Sequence, residues 1–155
     1  MQNKAIIRKP TVKDVPGIAE LINNYAQTGI MLPRPISQLY DNLRDYHVIQ
    51  MDGKIVGCGA LHVTWSDLAE IRGLALKEDL KGKGYGRKLV EKFLIEAKEL
   101  GVKKVFALTY QTEFFKIMGF VEINKSELPQ KIWNECINCI HFPDCNEVAM
   151  MRELD

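Results

Sequence analysis

The chain contains no uninterrupted apolar run approaching the ~20 residues that a membrane-spanning helix requires. Its start, MQNKAIIRKP, also lacks the long apolar core of a signal peptide. Neither export nor membrane insertion is expected, and the cytoplasm is the expected compartment. An excess of one charge sign is missing as well: 21 Lys and Arg against 20 Asp and Glu leave a formal charge of +1. No overall field recruits nucleic acid or an anionic membrane, so any basic site has to be local. There is no internal repeat and no low-complexity linker, and 155 residues suffice for one domain, 1–155, around a single core.

Cysteine is scarce and unevenly placed, at positions 58, 136, 139 and 145. In a reducing compartment these are thiols or metal ligands, not staples. Cys58 reads as a small buried side chain. Cys136, Cys139 and Cys145 crowd with His141 into CINCIHFPDC, and C-x-x-C lets two thiolates face one ion. Zinc on these groups and redox-linked thiols are two readings. The short intervening loops and the lack of a second C-x-x-C favour unligated packing cysteines, so no metal is expected.

What is present centres on EIRGLALKEDLKGKGYGRKLVEKFLIEAKEL, residues 70–100. A short apolar run, Ile71 to Leu76, is headed by Glu70 and followed by a charged loop and the glycines Gly82, Gly84 and Gly86. Then Leu89, Val90, Phe93, Leu94, Ala97 and Leu100 recur at three- and four-residue spacing, the inward face of a helix that Gly101 ends as a C-cap. Glycines before a helix leave the amides of its first turn uncovered, where unpaired donors and the helix dipole favour an anion. A pyrophosphate suits that place, and Lys81, Lys83 and Arg87 add positive charge. The spacing is not that of a Walker loop, and the acidic residue precedes the glycines, unlike a Rossmann fingerprint.

Ahead of this stretch, Ala5 to Arg8 reads as a strand and TVKDVPGIAELINNYA as a helix. Asp14 is the preferred cap over Thr11, because it puts Pro16 in the first turn. The inward face is Val15, Ile18, Ala19, Ile22 and Ala26. In the loop from Gln27 to Pro35, Pro33 and Pro35 stiffen the backbone around Arg34, whose planar fork suits a carboxylate. A short helix is predicted over Ile36 to Leu43. YHVIQM and KIVGCGALHV form a hairpin joined at Asp52-Gly53, with Gly57 and Gly59 marking a close approach or a bulge. His47 and His62 lie inside these strands and read as structural. Later, KKVFALT is a strand, TEFFKIMG a short helix, FVEI a strand, and Val148 to Met151 a last strand.

The arrangement LALKEDLKGKGYGRKLV resembles the acetyl-coenzyme A motif of the GNAT acetyltransferases: Gln or Arg, two residues, Gly, one residue, Gly or Ala. Here Lys81, Gly84 and Gly86 stand at those positions, with Lys replacing the usual Gln or Arg. The resemblance implies an α/β GNAT fold, a mixed and strongly twisted central sheet with helices on both faces. It also implies acetyl-CoA as cosubstrate on Leu74, Ala75, Leu76, Lys81, Gly82, Lys83, Gly84, Tyr85, Gly86, Arg87 and Phe115. Backbone amides of Leu74 to Leu76 would take the thioester oxygen and the pantetheine arm, provided the strand splays. LTYQTEFFKIMGF resembles the second GNAT signature beside the coenzyme. Where many relatives have a proton-donating tyrosine, this chain has Phe115.

Over residues 5–130 the stretches AQTGIMLPRPISQL, YHVIQMDGKIVGCGAL, AEIRGLAL and LTYQTEFFKIMGF resemble the acetyltransferase domain of N-acetylglutamate synthases. That likeness implies acetylation of the α-amine of L-glutamate in arginine biosynthesis. Arg34 would grip a carboxylate, Glu70 would act as base through water, with Glu113 in reserve, and Thr109 would donate a proton, with Tyr110 and Thr112 beside it. Where the family has Arg-x-Ser for the second carboxylate, this chain has Asp144, Cys145 and Asn146. Arg72, or else Arg152 or Lys9, would have to replace it. Larger synthases carry an arginine-sensing kinase-like domain; none fits in 155 residues, so feedback by that route is not expected. The alternatives are another amine acceptor on the same fold, or a non-catalytic coenzyme A or metal sensor. The expected partners are the amino acid and acetyl-CoA, without nucleic acid or membrane, and a homodimer is compatible.

Overall fold

Local signals in the chain become seven strands and four helices in the computed structural model, which describes residues 4–27, 35–129 and 147–155. The strands are β1 (Ala5–Arg8), β2 (Tyr46–Met51), β3 (Lys54–Trp65), β4 (Leu68–Leu76), β5 (Lys104–Thr109), β6 (Val121–Ile123) and β7 (Val148–Glu153). The helices are α1 (Val15–Gln27), α2 (Ile36–Asp41), α3 (Tyr85–Leu100) and α4 (Thr112–Ile117). The sheet order is β1-β2-β3-β4-β5-β7-β6. Only β4 and β5 run parallel, so the sheet is mixed as expected.

Asp52 and Gly53 turn the β2–β3 hairpin with φ of 52° and 76°, the doubly left-handed geometry that suits this dipeptide. β4 starts earlier than predicted, at Leu68, because Ser66 and Asp67 make a second tight hairpin without a glycine to announce it. Glu70 is therefore the third residue of the strand and not its head.

Helices cover both faces. On one, Leu89, Val90, Phe93, Leu94 and Ala97 of α3 join Ile71, Val105, Ala107, Phe115 and Phe120 in the larger core; on the other, Val15, Ile18 and Ile22 of α1 and Leu39 of α2 pack on Tyr46, Val48, Cys58 and Ala75. Complete burial of such side chains is worth about 1.5–3 kcal/mol each. Leu100, predicted to face inward, is exposed. Gly101 ends α3 at φ 84°. Cys58 is fully buried as expected, and burial pushes its thiol up to about 12. His47 is half-buried with Phe93 edge-on at 5.5 Å; burial, then Lys9 and Lys92, lower it to about 4, so it stays neutral near pH 7.

The start of α1 differs from expectation in one respect. A 3₁₀ turn, Val12–Asp14, precedes the helix, and Thr11, not Asp14, is its N-cap. The Asp14 carboxylate reaches back to accept the Thr11 N–H at 2.7 Å and two Arg8 bonds at 2.7 and 3.0 Å, tying β1 to the helix. The hydrogen bond from Arg8 is the main reason that this carboxyl lies below its ordinary value. A depressed folded pKa stabilises above the unfolded value, near ~4, and that stabilisation is lost as pH falls through the lower folded value. Asp14→Ala should lower stability by about 1–2 kcal/mol at pH 7, with the deficit shrinking below pH ~4; urea titrations at both pH values check it.

Candidate active site

The ladder between β4 and β5 is three pairs long, Leu68, Ala69 and Glu70 against Lys104, Val105 and Phe106. Beyond Glu70 the two strands diverge although both continue, so among the described residues no strand lies alongside the β5 side of β4 over residues 71–76. A bulge helps to open it. The β3–β4 register shifts between Cys58↔Ala75 and Ala60↔Arg72, with Gly73 at φ 65°. Gly59 lies opposite because a Cβ there would stand 3.0 Å from the Phe93 ring and 3.1 Å from Leu74. Both anticipated meanings of that strand glycine, close approach and bulge, apply at one place.

At the far end of the divergence lies a cavity of about 410 Å³ between β4, the glycine turn and α4. Leu74, Leu76, Lys81, Gly82, Gly84, Tyr85, Gly86 and Arg87 line it with Gln111, Phe114, Ile117 and Met118. Gly82 and Gly84 take φ of 78° and 88°. Gly84 is the N-cap of α3 and offers no side chain; the first helical bond runs from Lys88 N–H to Gly84 O. The N–H groups of Tyr85, Gly86 and Arg87 thus precede the helical ladder and project from the helix end. Surface pairs, Lys81 with Glu78 at 3.1 Å and Arg87 with Glu91 at 3.3 Å, hold the nearby cations loosely. This end of the cavity fits a pyrophosphate, and its apolar walls fit an extended chain attached to it.

Three residues assigned to this place lie apart from the cavity wall. Phe115 is buried in the larger core, edge-on to Phe114 and Phe120, each at 5.1 Å, and Phe114 faces the cavity instead. Adjacent helical residues point about 100° apart, and the sheet decides which turns inward. Phe114 and Ile117 share the three-residue spacing that could have identified the exposed face. Ala75 is buried on the α1 side, leaving only its backbone for a ligand. Lys83 is exposed outside the lining.

On the α1–α2 face, Glu70 is buried at 7% exposure, and its Oε1 lies 3.3 Å from Arg72 Nε. Arg72, expected to hold a substrate carboxylate, is thus paired with the carboxylate that the resemblance assigns as base. His62 is the cross-strand partner of Glu70, and its Nδ1 lies 2.7 Å from Asp45 Oδ2, in the 3₁₀ turn Leu43–Asp45 that precedes β2. Sequence reading placed His62 in a wall and missed this pair, since nothing local links residue 45 to residue 62.

Thr109 ends β5, and its Oγ1 accepts the Gln111 N–H at 2.8 Å. Alternation along β5 puts it on the Val105 and Ala107 side, whereas alternation along β4 puts Glu70 on the side opposite Ala69 and Ile71. The two meet only through the opening between the strands. Tyr110 is exposed, as is Glu113, which pairs with Lys116 at 3.4 Å. Thr112 opens α4. Of the substitutes for the second carboxylate, Arg152 donates to Met118 O at 2.6 Å beside α4, on the face away from Glu70, and Lys9 is engaged by Arg44 O. Arg34 lies outside the described residues, as do Cys136, Cys139, His141, Asp144, Cys145 and Asn146. Among the described residues no cluster of His, Cys, Asp and Glu could hold a metal, and no helix is long and apolar enough to cross a membrane.

Comparison with known proteins agrees with this architecture. Residues 18–120 match the Acetyltransferase (GNAT) family. The chain is 41% identical over 148 residues to an uncharacterized N-acetyltransferase of Chlorobaculum tepidum, covering 96% of each. It is 38% identical over 135 residues to the amino-acid acetyltransferase of Mycobacterium tuberculosis, covering 85% of this chain and 77% of the relative. Among solved structures, a Mycobacterium tuberculosis protein in complex with CoA superposes with TM-score 0.83 at 33% identity, over 97% of this chain and 99% of the other. N-acetylglutamate synthase of Neisseria gonorrhoeae, complexed with coenzyme A and N-acetyl-glutamate, superposes with TM-score 0.88 at 28% identity, over 100% of this chain and 36% of the synthase. With the family match spanning most of the chain and the strand opening and glycine turn where a coenzyme would need them, this protein belongs to the GNAT family of acetyl-CoA-dependent acetyltransferases.

Proposed function

We propose that the chain moves the acetyl group of acetyl-CoA to the α-amine of L-glutamate, the opening step of arginine biosynthesis, in the cytoplasm. The observation that carries this reading is the end of the β4–β5 ladder at Glu70, which sets a buried carboxylate at the mouth of the opening. Relatives named amino-acid acetyltransferase support the acceptor class.

The amides at the start of α3 hold the pyrophosphate, with Lys81 and Arg87 beside it. The arm of the coenzyme follows β4 past Leu74 and Leu76, where strand amides polarise the thioester carbonyl. Arg34 grips the side-chain carboxylate of the acceptor, and Arg72, beside Glu70, takes the other one. Glu70, directly or through one water, takes a proton from the ammonium; the freed amine attacks the thioester carbon, and the C–S bond breaks as the C–N bond forms. Thr109 is the hydroxyl nearest in role to the departing sulfur. A thiol of pKa near ~8.5 leaves readily, so the absence of a tyrosine at Phe115 is tolerable.

Acetyl-CoA offered with glutamate, glutamine, aspartate, a polyamine and a peptide amino terminus, with free thiol followed, tests the acceptor. Glutamate should give the highest kcat/KM. Arg34→Ala should raise KM for glutamate about 10- to 100-fold, the worth of a charge-assisted hydrogen bond, and leave KM for acetyl-CoA alone. A polyamine as best acceptor, or unchanged glutamate kinetics in Arg34→Ala, would overturn the assignment.

A further inference from the structure

A base that is buried must release its proton once per turnover. The Glu70 side chain is 9% exposed and Arg72 covers its Oε1, while His62 and Asp45 beside it are 25% and 29% exposed. His62 is directly opposite Glu70 in the antiparallel β3–β4 register and on the same face, so their Cβ atoms fall within the ~4.5–5.5 Å of such pairs. A carboxylate can only accept, so Nδ1–H donates across the 2.7 Å contact with Asp45, and Nε2 is the ring nitrogen left to exchange a proton. We propose that His62, oriented by Asp45, relays the acceptor's proton from Glu70 to solvent.

This rests on the reading of Glu70 as base and extends it by one step. The acceptor R–NH3⁺ gives a proton to the Glu70 carboxylate. Glu70–COOH then returns it, directly or over one water, to Nε2 of neutral His62, and the imidazolium loses it to bulk water. No carbon or sulfur bond changes in the relay, and Glu70 is again ionised for the next acceptor. Among the described residues, the groups that face His62 are Asp45 from the turn before β2, Glu70 and Arg72 from β4, Tyr46 from β2, Gln38 from α2 and Asn42 from its C-cap. A histidine meant only as filler would not need a carboxylate on its far nitrogen. The pair also explains why an aspartate from a distant turn meets a histidine of β3 beside a buried acid. His62 is thus a positioning residue, acting on the acceptor only through Glu70.

Kinetics of His62→Ala, Asp45→Asn and Glu70→Gln over pH 5.5–9.5 test the proposal, with imidazole added and thermal melting as a control for folding. His62→Ala should lower kcat by about 10²-fold, the lower end of what a placed acid–base group contributes. KM for acetyl-CoA should hold, and added imidazole should restore much of the rate. Asp45→Asn should shift the acidic limb of the kcat profile. Wild-type kcat and profile in His62→Ala would overturn the relay, as would a loss that imidazole leaves untouched. If Glu70→Gln is impaired while His62→Ala is not, the relay alone fails; if Glu70→Gln retains full rate, the base reading fails and the relay with it.

Discussion

Glu70→Gln should lower kcat by about 10²- to 10⁴-fold, the usual contribution of a positioned general base, with KM for acetyl-CoA little changed. Glutamine keeps the size of the side chain and an oxygen for Arg72, so the packing around this 7%-exposed group survives. What it loses is the capacity to take a proton. Glu70→Ala is the poorer test, because it removes one side of a buried ion pair, and breaking such a pair costs about 3–5 kcal/mol. The deficit in Glu70→Gln should narrow as pH rises, because more of the acceptor amine is then neutral without help. Full activity near neutral pH in a folded Glu70→Gln protein would remove the carboxylate from the mechanism.

The second large effect is expected at the glycine turn, where two substitutions separate space from strain. A Cβ on Gly86 would stand 3.5 Å from the Phe114 ring and 3.6 Å from Leu76, ordinary contact distances at the cavity wall. Gly86→Ala should therefore fold well, gaining up to ~1 kcal/mol of helix propensity, whereas Gly86→Leu fills the cavity. KM for acetyl-CoA should rise more than tenfold in Gly86→Leu, as expected where a remote binding contact is blocked, with the melting temperature unchanged or higher. Gly84 has open space around its Cβ but a φ of 88°. Gly84→Val should then cost about 1–3 kcal/mol of stability through backbone strain as well as coenzyme affinity. Titration of each variant with coenzyme A, beside thermal melting, distinguishes the two patterns. Normal coenzyme affinity in Gly86→Leu would mean that the cavity is not where the coenzyme lies.

Both effects arise at positions where the sequence was informative to different degrees. The glycine turn was legible residue by residue. Positive φ at Gly82 and Gly84, and a helix following at Tyr85, come from sterics within a few residues. The identity of Glu70 as the acidic residue of interest was also legible, but its burial was not. A lone glutamate ahead of an apolar run reads as an exposed strand end until the Ser66–Asp67 turn lengthens the strand behind it. Likewise, the aromatic pair at 114 and 115 signalled a packed helix without saying which ring would face the cavity.

By itself, then, the chain's order of residues determined most of its elements, its hairpin at Asp52 and Gly53, the glycine-led start of α3 and the inward stripe of that helix as far as Ala97, all of which depend on neighbours within a turn or two. Only the tertiary structure decided that β4 and β5 part beyond Glu70, that Arg72 pairs with that carboxylate, that Phe114 rather than Phe115 lines the cavity, and that His62 with Asp45 stands across from the acid. Each of these is set by strand register or by packing between segments far apart in the chain, where a shift of one residue turns a side chain to the other face.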